Sequence, residues 1–319
     1  MLSLRRPDII RIASRGSRLA MWQSEWVRGR LAAAWSDRRF EIVKIETVGD
    51  KILDRPLPEI GGKGLFTEEL ESALRSADVD LAVHSLKDLP TDLAPGLVVG
   101  AVCEREDPRD AWVSGSNGAP DIPAVAPGAR IGTSSERRRA QVLAARPDVQ
   151  VASIRGNVET RLRKLDEGQY DAVIVAAAGL LRLGLAERIT SFLEPPEWLS
   201  APGQGAVAVE SRADDSAIDI LLRPIEDDTA RAETAAERSL LARLQGGCQV
   251  PVGARAWARG DELILHALVA TPDGSQVIRA NGTGVCDQAA ELGVRVAGGM
   301  LERGGEAIVA TFREPGNGG

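Results

Sequence analysis

The sequence predicts an α/β protein with two doubly wound lobes and a smaller α+β third domain built on an antiparallel sheet. Three observations carry this. Strand-like apolar runs alternate with helical periodicity from Ile9 onward, the order that gives parallel sheets covered by helices. The same outline restarts at Arg130, after a charged crossing near Cys103 to Arg109, and a glycine-rich break near Ser200 to Gly205 returns the chain. From Val250 to Val285 the pattern changes to the alternation of an antiparallel sheet. With 319 residues the chain exceeds one ordinary core. The expected division is residues 4–103 with 206–224, then 104–205, then 228–319.

Taken in order, Ile9 to Ser14 reads as a strand, Arg15-Gly16-Ser17-Arg18 as a turn, Leu19 to Trp35 as a helix and Phe40 to Glu46 as a second strand. A strand, turn and helix start aims backbone N–H groups at an anion, which places Arg15 and Ser17 at a candidate site. Thr47 to Gly64 is irregular, with two prolines and Gly61-Gly62-Lys63-Gly64, and reads as a lid. It is not a phosphate-binding P-loop, because no serine or threonine follows Lys63. Leu65 to Ser76 is a helix and Leu81 to Ser85 a strand. That strand delivers Ser85-Leu86-Lys87-Asp88 at its carboxyl end, where open α/β sheets hold ligands. Lys87 and Asp88 are compatible with a surface ion pair or with a carboxylate facing a cleft. His84, inside the strand, reads as a packed core histidine.

After the strand Leu97 to Glu104, the second lobe repeats the scheme. Arg130 to Thr133 is a strand, Ser134 and Ser135 offer an N-cap, and Glu136 to Ala145 is a helix that opens with Arg137, Arg138 and Arg139. Cations are disfavoured at a helix N-terminus, so an anion is expected beside them. Val149 to Arg155 is a strand, Arg161 lies one turn into the next helix, Tyr170 to Ala176 is a buried strand, and Arg182 follows it. Arginine suits bidentate recognition of carboxylates. Ala206 to Glu210 is a strand returning to the first sheet, and Asp228 to Leu244 a helix. Pro272 to Ser275 is a turn, Gln288 to Arg303 a helix, and Ala307 to Phe312 a final strand.

Composition narrows the function. A net charge of −7 argues against a nucleic-acid surface. No apolar run reaches a membrane span and the amino terminus carries no export pattern, so a cytoplasmic location is expected. Three scattered cysteines (Cys103, Cys248, Cys286) do not make a disulfide framework, and with only His84 and His266 no metal cage is expected. Lysine occurs only at Lys44, Lys51, Lys63, Lys87 and Lys164, so arginine supplies every other side-chain cation. Cys248 stands on the glycine-bounded turn Gly246-Gly247-Cys248-Gln249-Val250-Pro251. Taken alone, it is compatible with a packed thiol or with one held out for chemistry.

Arginines at strand ends, one carboxylate, a lid and a thiol together suit a ligand rich in carboxylates that becomes cationic during reaction. Ile12-Ala13-Ser14-Arg15-Gly16-Ser17, Gly61 to Phe66, Val83 to Pro90, Cys103 to Asp110, Gly132 to Ser135, Arg155 to Val158, Pro202 to Ala206 and Gly246 to Pro251 resemble the porphobilinogen deaminase (hydroxymethylbilane synthase) family, in one order along the chain. The lobes in turn resemble type II periplasmic binding proteins. The resemblance implies a cytoplasmic, monomeric transferase of tetrapyrrole (porphyrin and heme) biosynthesis. It condenses four porphobilinogen molecules, releases ammonia and hydroxymethylbilane, and passes its product to uroporphyrinogen III synthase. It also implies a dipyrromethane cofactor thioether-linked to Cys248 and contacted by Asp88, Lys87, Ser85, Ser135, Arg137, Arg138 and Arg182. Asp88, Lys87, Arg15 and Arg155 are implied as catalytic. Arg15, Ser17, Gln23, Lys63, Phe66, Arg155, Arg161 and Gln204 are implied as substrate contacts. Glu59 and Glu136 depart from some relatives, which touches lid contacts and local charge. Two other readings are an anion-binding module, which needs neither Cys248 nor a third domain, and a cysteine hydrolase, for which His266 is the candidate partner.

Overall fold

The computed structural model describes residues 9–51, 67–115, 118–244 and 250–312. Contacts divide the chain into two compact units, Met1–Glu106 with Gly205–Arg231, and Asp107–Gln204 with Ala232–Gly319.

The first unit is built on a five-stranded sheet. Strand β1 (Ile9–Arg15) pairs in parallel with β2 (Arg39–Ile45) and β3 (Leu81–Ser85). Beyond β3 lie β10 (Val207–Arg212), antiparallel to both neighbours, and β4 (Leu97–Val102), giving the order β2-β1-β3-β10-β4. Alternation along β1 sends Ile10 and Ile12 to one core, where they meet Val27 and Leu31 of α1 (Arg18–Ala34), and Ala13 to another with Leu70 and Leu74 of α3 (Glu68–Arg75). Helix α7 (Ser216–Leu222) joins the first of these cores through Ile218, Leu221 and Leu222, and helices on both faces are what a doubly wound lobe requires. Within the stretch read as irregular, Val48–Lys51 forms a short helix, α2.

The second unit holds two sheets. One repeats the mixed pattern in the order β7-β6-β8-β5-β9: β6 (Arg130–Gly132) is parallel to β7 (Gln150–Ala152) and β8 (Ala172–Ala176), while β5 (Asp110–Ser114) is antiparallel to β8 and β9 (Ser191–Leu193). Trp112, Ile131, Val142 and Ile174 fill one face, and Val113, Leu162, Val173 and Leu180 the other. The second sheet is an antiparallel meander, β11 (Val252–Arg259), β12 (Glu262–Ala270) and β13 (Val277–Val285). Its buried face packs on α8 (Asp228–Arg243) and α9 (Ala289–Met300) through Ala254, Ala256, Leu265, Leu240, Leu292 and Val296. The fold class is therefore the expected one.

One element changes type from the sequence reading. Ala307 to Phe312, expected as a strand, is helical over α10 (Glu306–Ala310). Gly304 turns the chain with φ 102°, after which Ile308 and Val309 are buried and Phe312 is half-buried. That spacing follows a helix rather than the alternation of a strand. Two short strands, β5 and β9, were not expected, and the strand expected over Val149 to Arg155 is confined to β7.

Candidate functional site

In the first unit, the carboxyl ends of parallel β1 and β3 lie on one sheet edge. There Arg15 ends β1, and Ser17 caps α1, its hydroxyl accepting from the Ala20 N–H at 3.3 Å. Strand β3 runs into a 3₁₀ turn over Leu86–Asp88. Leu86 and Leu89 are buried and anchor this turn, and the Leu86 N–H donates to the Ala206 carbonyl at 3.0 Å. With leucines three apart turned inward, Lys87 is left half-buried and Asp88 exposed. Arg15, Ser17, Gln23, Ser85 and Asp88 line one concavity, with Thr67 and His84 at its wall. Gln23 is buried and donates through Nε2 to the Ser85 hydroxyl at 2.9 Å.

His84 is packed in the core, as expected, with Nε2 3.2 Å from a carboxylate oxygen of Glu210, which is 0 % exposed. Nearby, burial pushes the Glu71 carboxyl above its ordinary range, and the Glu210 charge adds to this.

In the second unit, β6, β7 and β8 likewise present their carboxyl ends at one edge, where antiparallel β5 begins with Asp110 opposite Ala176. Ser135 caps α4 (Glu136–Ala145), its hydroxyl accepting from the Arg138 N–H. The anion expected beside the arginines is Asp110. Its carboxylate, 0 % exposed, accepts from Arg137 Nη1 and Arg138 Nη2, both at 2.7 Å, from Trp198 Nε1 at 2.8 Å and from Gln204 Nε2 at 2.9 Å. Burial alone would raise the pKa of Asp110; the two guanidinium charges and their hydrogen bonds instead hold it far below the usual carboxylate range. Arg137 also donates to the Leu199 carbonyl at 2.6 Å and Arg138 to that of Ile174 at 2.9 Å, while Arg138 Nε, buried, has no hydrogen-bond partner among the described residues.

Beyond β7 the chain turns through Arg155, Gly156 and Asn157. Gly156 takes φ 110°, and a Cβ there would stand 2.6 Å from Thr160 Cγ2, so glycine is required. Asn157 caps α5 (Val158–Asp166), and Arg161 Nε donates back to the Gly156 carbonyl at 2.9 Å, which draws Arg155 and Arg161 onto one loop. Arg182 ends α6 (Ala177–Arg182), the helix leaving β8 at the same edge. Arg155, Arg161 and Arg182 are half-buried.

Gln204, read as a substrate contact, is 1 % exposed, and besides Asp110 its amide nitrogen serves the carbonyls of Pro108 at 2.7 Å and Arg109 at 3.2 Å. It fastens the crossing segment to the buried charge cluster. Sequence reasoning missed Asp110 and Trp198. The available signal was a carboxylate opening the apolar run Ala111 to Val113, where a buried charge needs partners. Cys248, Lys63, Phe66 and Glu59 lie outside the described residues.

Among the described residues no group of acidic, histidine or cysteine side chains could hold a metal ion, and no helix is long and apolar enough to cross a membrane. Solved structures similar in fold include the methionine binding protein MetQ, at 12 % identity and TM-score 0.45, covering 73 % of this chain and 96 % of that one. Another is the periplasmic aliphatic sulphonate binding protein SsuA from Escherichia coli, at 12 % identity and TM-score 0.41, covering 75 % and 71 %. The model of the porphobilinogen deaminase dipyromethane cofactor binding domain matches residues 10–219, and that of the porphobilinogen deaminase C-terminal domain matches residues 232–302. With most of its length matched in this way, the chain belongs to the porphobilinogen deaminase family.

Proposed function

We propose that Asp88 is the catalytic carboxylate in the reaction of this family, the deamination and head-to-tail condensation of four porphobilinogen molecules with release of ammonia and hydroxymethylbilane. The observation that carries the proposal is the pinned turn that projects Asp88 into one concavity with Arg15, Ser17, Gln23 and Ser85. Breaking the C–N bond of porphobilinogen releases ammonia and leaves a pyrrole cation. A carboxylate beside it stabilises that charge and accepts the pyrrole N–H. Arg15, Ser17 and the amide ends of α1 offer donors to the substrate acetate and propionate. Gln23 holds the Ser85 hydroxyl in place, and Lys87 is proposed as a further donor.

The dipyrromethane group, whose binding domain the chain contains, supplies the free α-carbon to which the first substrate is joined. The donors present fit such a group, which brings two carboxylates per ring. Ser135 and Arg155 follow the carboxyl ends of β6 and β7, Arg161 lies one turn into the helix after β7, Arg182 ends the helix that leaves β8, and Arg138 of the buried pair has an Nε without a partner among the described residues. Arg155 and Arg161 are proposed to hold substrate, Arg155 also acting in catalysis. Ser85, Lys87, Asp88, Ser135, Arg137, Arg138 and Arg182 are proposed to hold the cofactor, and Cys248 to anchor it by a thioether. The proposal extends to residues 228–319 as a separate third domain, a cytoplasmic monomer without nucleic-acid or membrane partners, and product passing to uroporphyrinogen III synthase. The net charge of −7 supports the absence of a polyanion partner.

The test is Asp88→Asn, followed by intact mass and by ammonia release. The variant should carry the mass of two linked pyrrole units and lose turnover by about a hundredfold or more. Loaded protein with near-parental turnover would remove Asp88 from this role.

A further inference from the structure

The buried cluster at the start of α4 is unbalanced. Two guanidiniums, Arg137 and Arg138, each 5 % exposed, share one carboxylate, Asp110, and the other two donors, Trp198 and Gln204, are neutral. Charges removed from water are tolerated when paired and hydrogen-bonded, so a surplus positive charge beside an Nε–H without a partner among the described residues favours one more anion. The four donors also fix Asp110 from separate parts of the chain: α4, the segment before Leu199, and the crossing at Gln204.

We propose that Asp110 is a positioning residue. Its carboxylate locks the planes of Arg137 and Arg138 so that the buried Arg138 Nε is held ready to donate to one carboxylate of the dipyrromethane group, and loading closes the cluster at zero net charge. The proposal rests on the family reading of the cofactor and adds to it a residue that never touches the cofactor. A role confined to stability makes a different demand, because a folded variant would then load normally.

The experiment uses the full chain prepared without cofactor and incubated with porphobilinogen, with the gain of two pyrrole units followed over time by intact mass. Asp110→Glu keeps the charge but displaces the carboxylate by one methylene. It should melt near the parent yet load at least about tenfold more slowly, the scale of a misplaced charge-assisted hydrogen bond. Asp110→Glu that is folded and loads at the parental rate overturns the proposal. If Asp110→Glu fails to fold, Trp198→Phe removes one donor to Asp110 and leaves every charge in place. Loading slowed about threefold or more in folded protein then supports the proposal, and parental loading overturns it. Failure of the family reading looks different, since the parent chain itself would then gain no mass.

Discussion

Glu237 offers the most direct test of how the crossing segment is held. This carboxylate on α8 is 0 % exposed, and its two oxygens accept from different parts of the chain, Oε2 from the Gly203 N–H at 2.8 Å and Oε1 from the Ala256 N–H at 2.8 Å. Arg255 Nη1 lies 3.7 Å from Oε1 and 2.7 Å from Glu233. Gly203 takes φ 77° and Gly205 φ 90°, a backbone path that few other residues follow, so the segment between Ala201 and Gly205 depends on such ties. Glu237→Gln leaves one oxygen for two N–H groups and turns the other contact into donor against donor. An unsatisfied buried N–H costs about 1–3 kcal/mol, and loss of the charge weakens the remaining bond by about 1 kcal/mol, so the expected penalty is about 2–4 kcal/mol. In native-state hydrogen exchange that is a loss of protection of about thirtyfold or more at Gly203 or Ala256. Protection at both amides within about threefold of the parent, roughly 0.6 kcal/mol, would refute the assignment of Glu237 as the shared acceptor.

Two further outcomes follow from the geometry. The Glu71 carboxyl, raised first by burial and then by Glu210, has a folded pKa above its unfolded value. Its contribution to stability is therefore fully present below the unfolded pKa near 4.5 and is lost as pH rises through the folded pKa. Glu71→Gln should raise the melting temperature at pH 7, and the gain should shrink towards pH 4; a gain independent of pH would contradict this. Gly156→Ala forces a side chain into φ 110° and against Thr160, at a cost of about 1–3 kcal/mol, and should lower the melting temperature while loosening the loop that carries Arg155. An unchanged melting temperature would show that the loop relaxes freely.

The apolar periods made the first lobe legible: Ile10 and Ile12 alternate inward as the strand reading requires, and Leu31 falls on the buried stripe of α1. The position of Asp88 at the carboxyl end of a strand was legible too, whereas the turn that buries Leu86 and Leu89 beneath it was not. The partners of Asp110 were not. They come from positions 27 to 94 residues away in sequence, a separation that only tertiary packing brings together. The same holds for His84 and Glu210, each unremarkable until β3 and β10 pair. Ala307 to Phe312 misled because β-branched residues favour strands only weakly, and a kink at Gly304 hands Ile308 and Val309 to the core in helical spacing.

Arginine count is therefore a poor measure of the cations a ligand can meet. The rule that cations at a helix N-terminus imply an anion held, yet the anion belongs to the chain itself. Arg137 and Arg138 each donate to Asp110 and to one backbone carbonyl, and as a desolvated, mutually oriented pair they offer direction rather than long-range attraction. Arg155, Arg161 and Arg182 remain half-buried at the sheet edge, where water and salt screen their charge and where, on the proposed function, they would draw in approaching carboxylates. On that proposal, attraction and alignment fall to different arginines of one sheet edge. A buried Asp110 is the reason, since without it two guanidiniums on successive residues of α4 would repel each other and point apart.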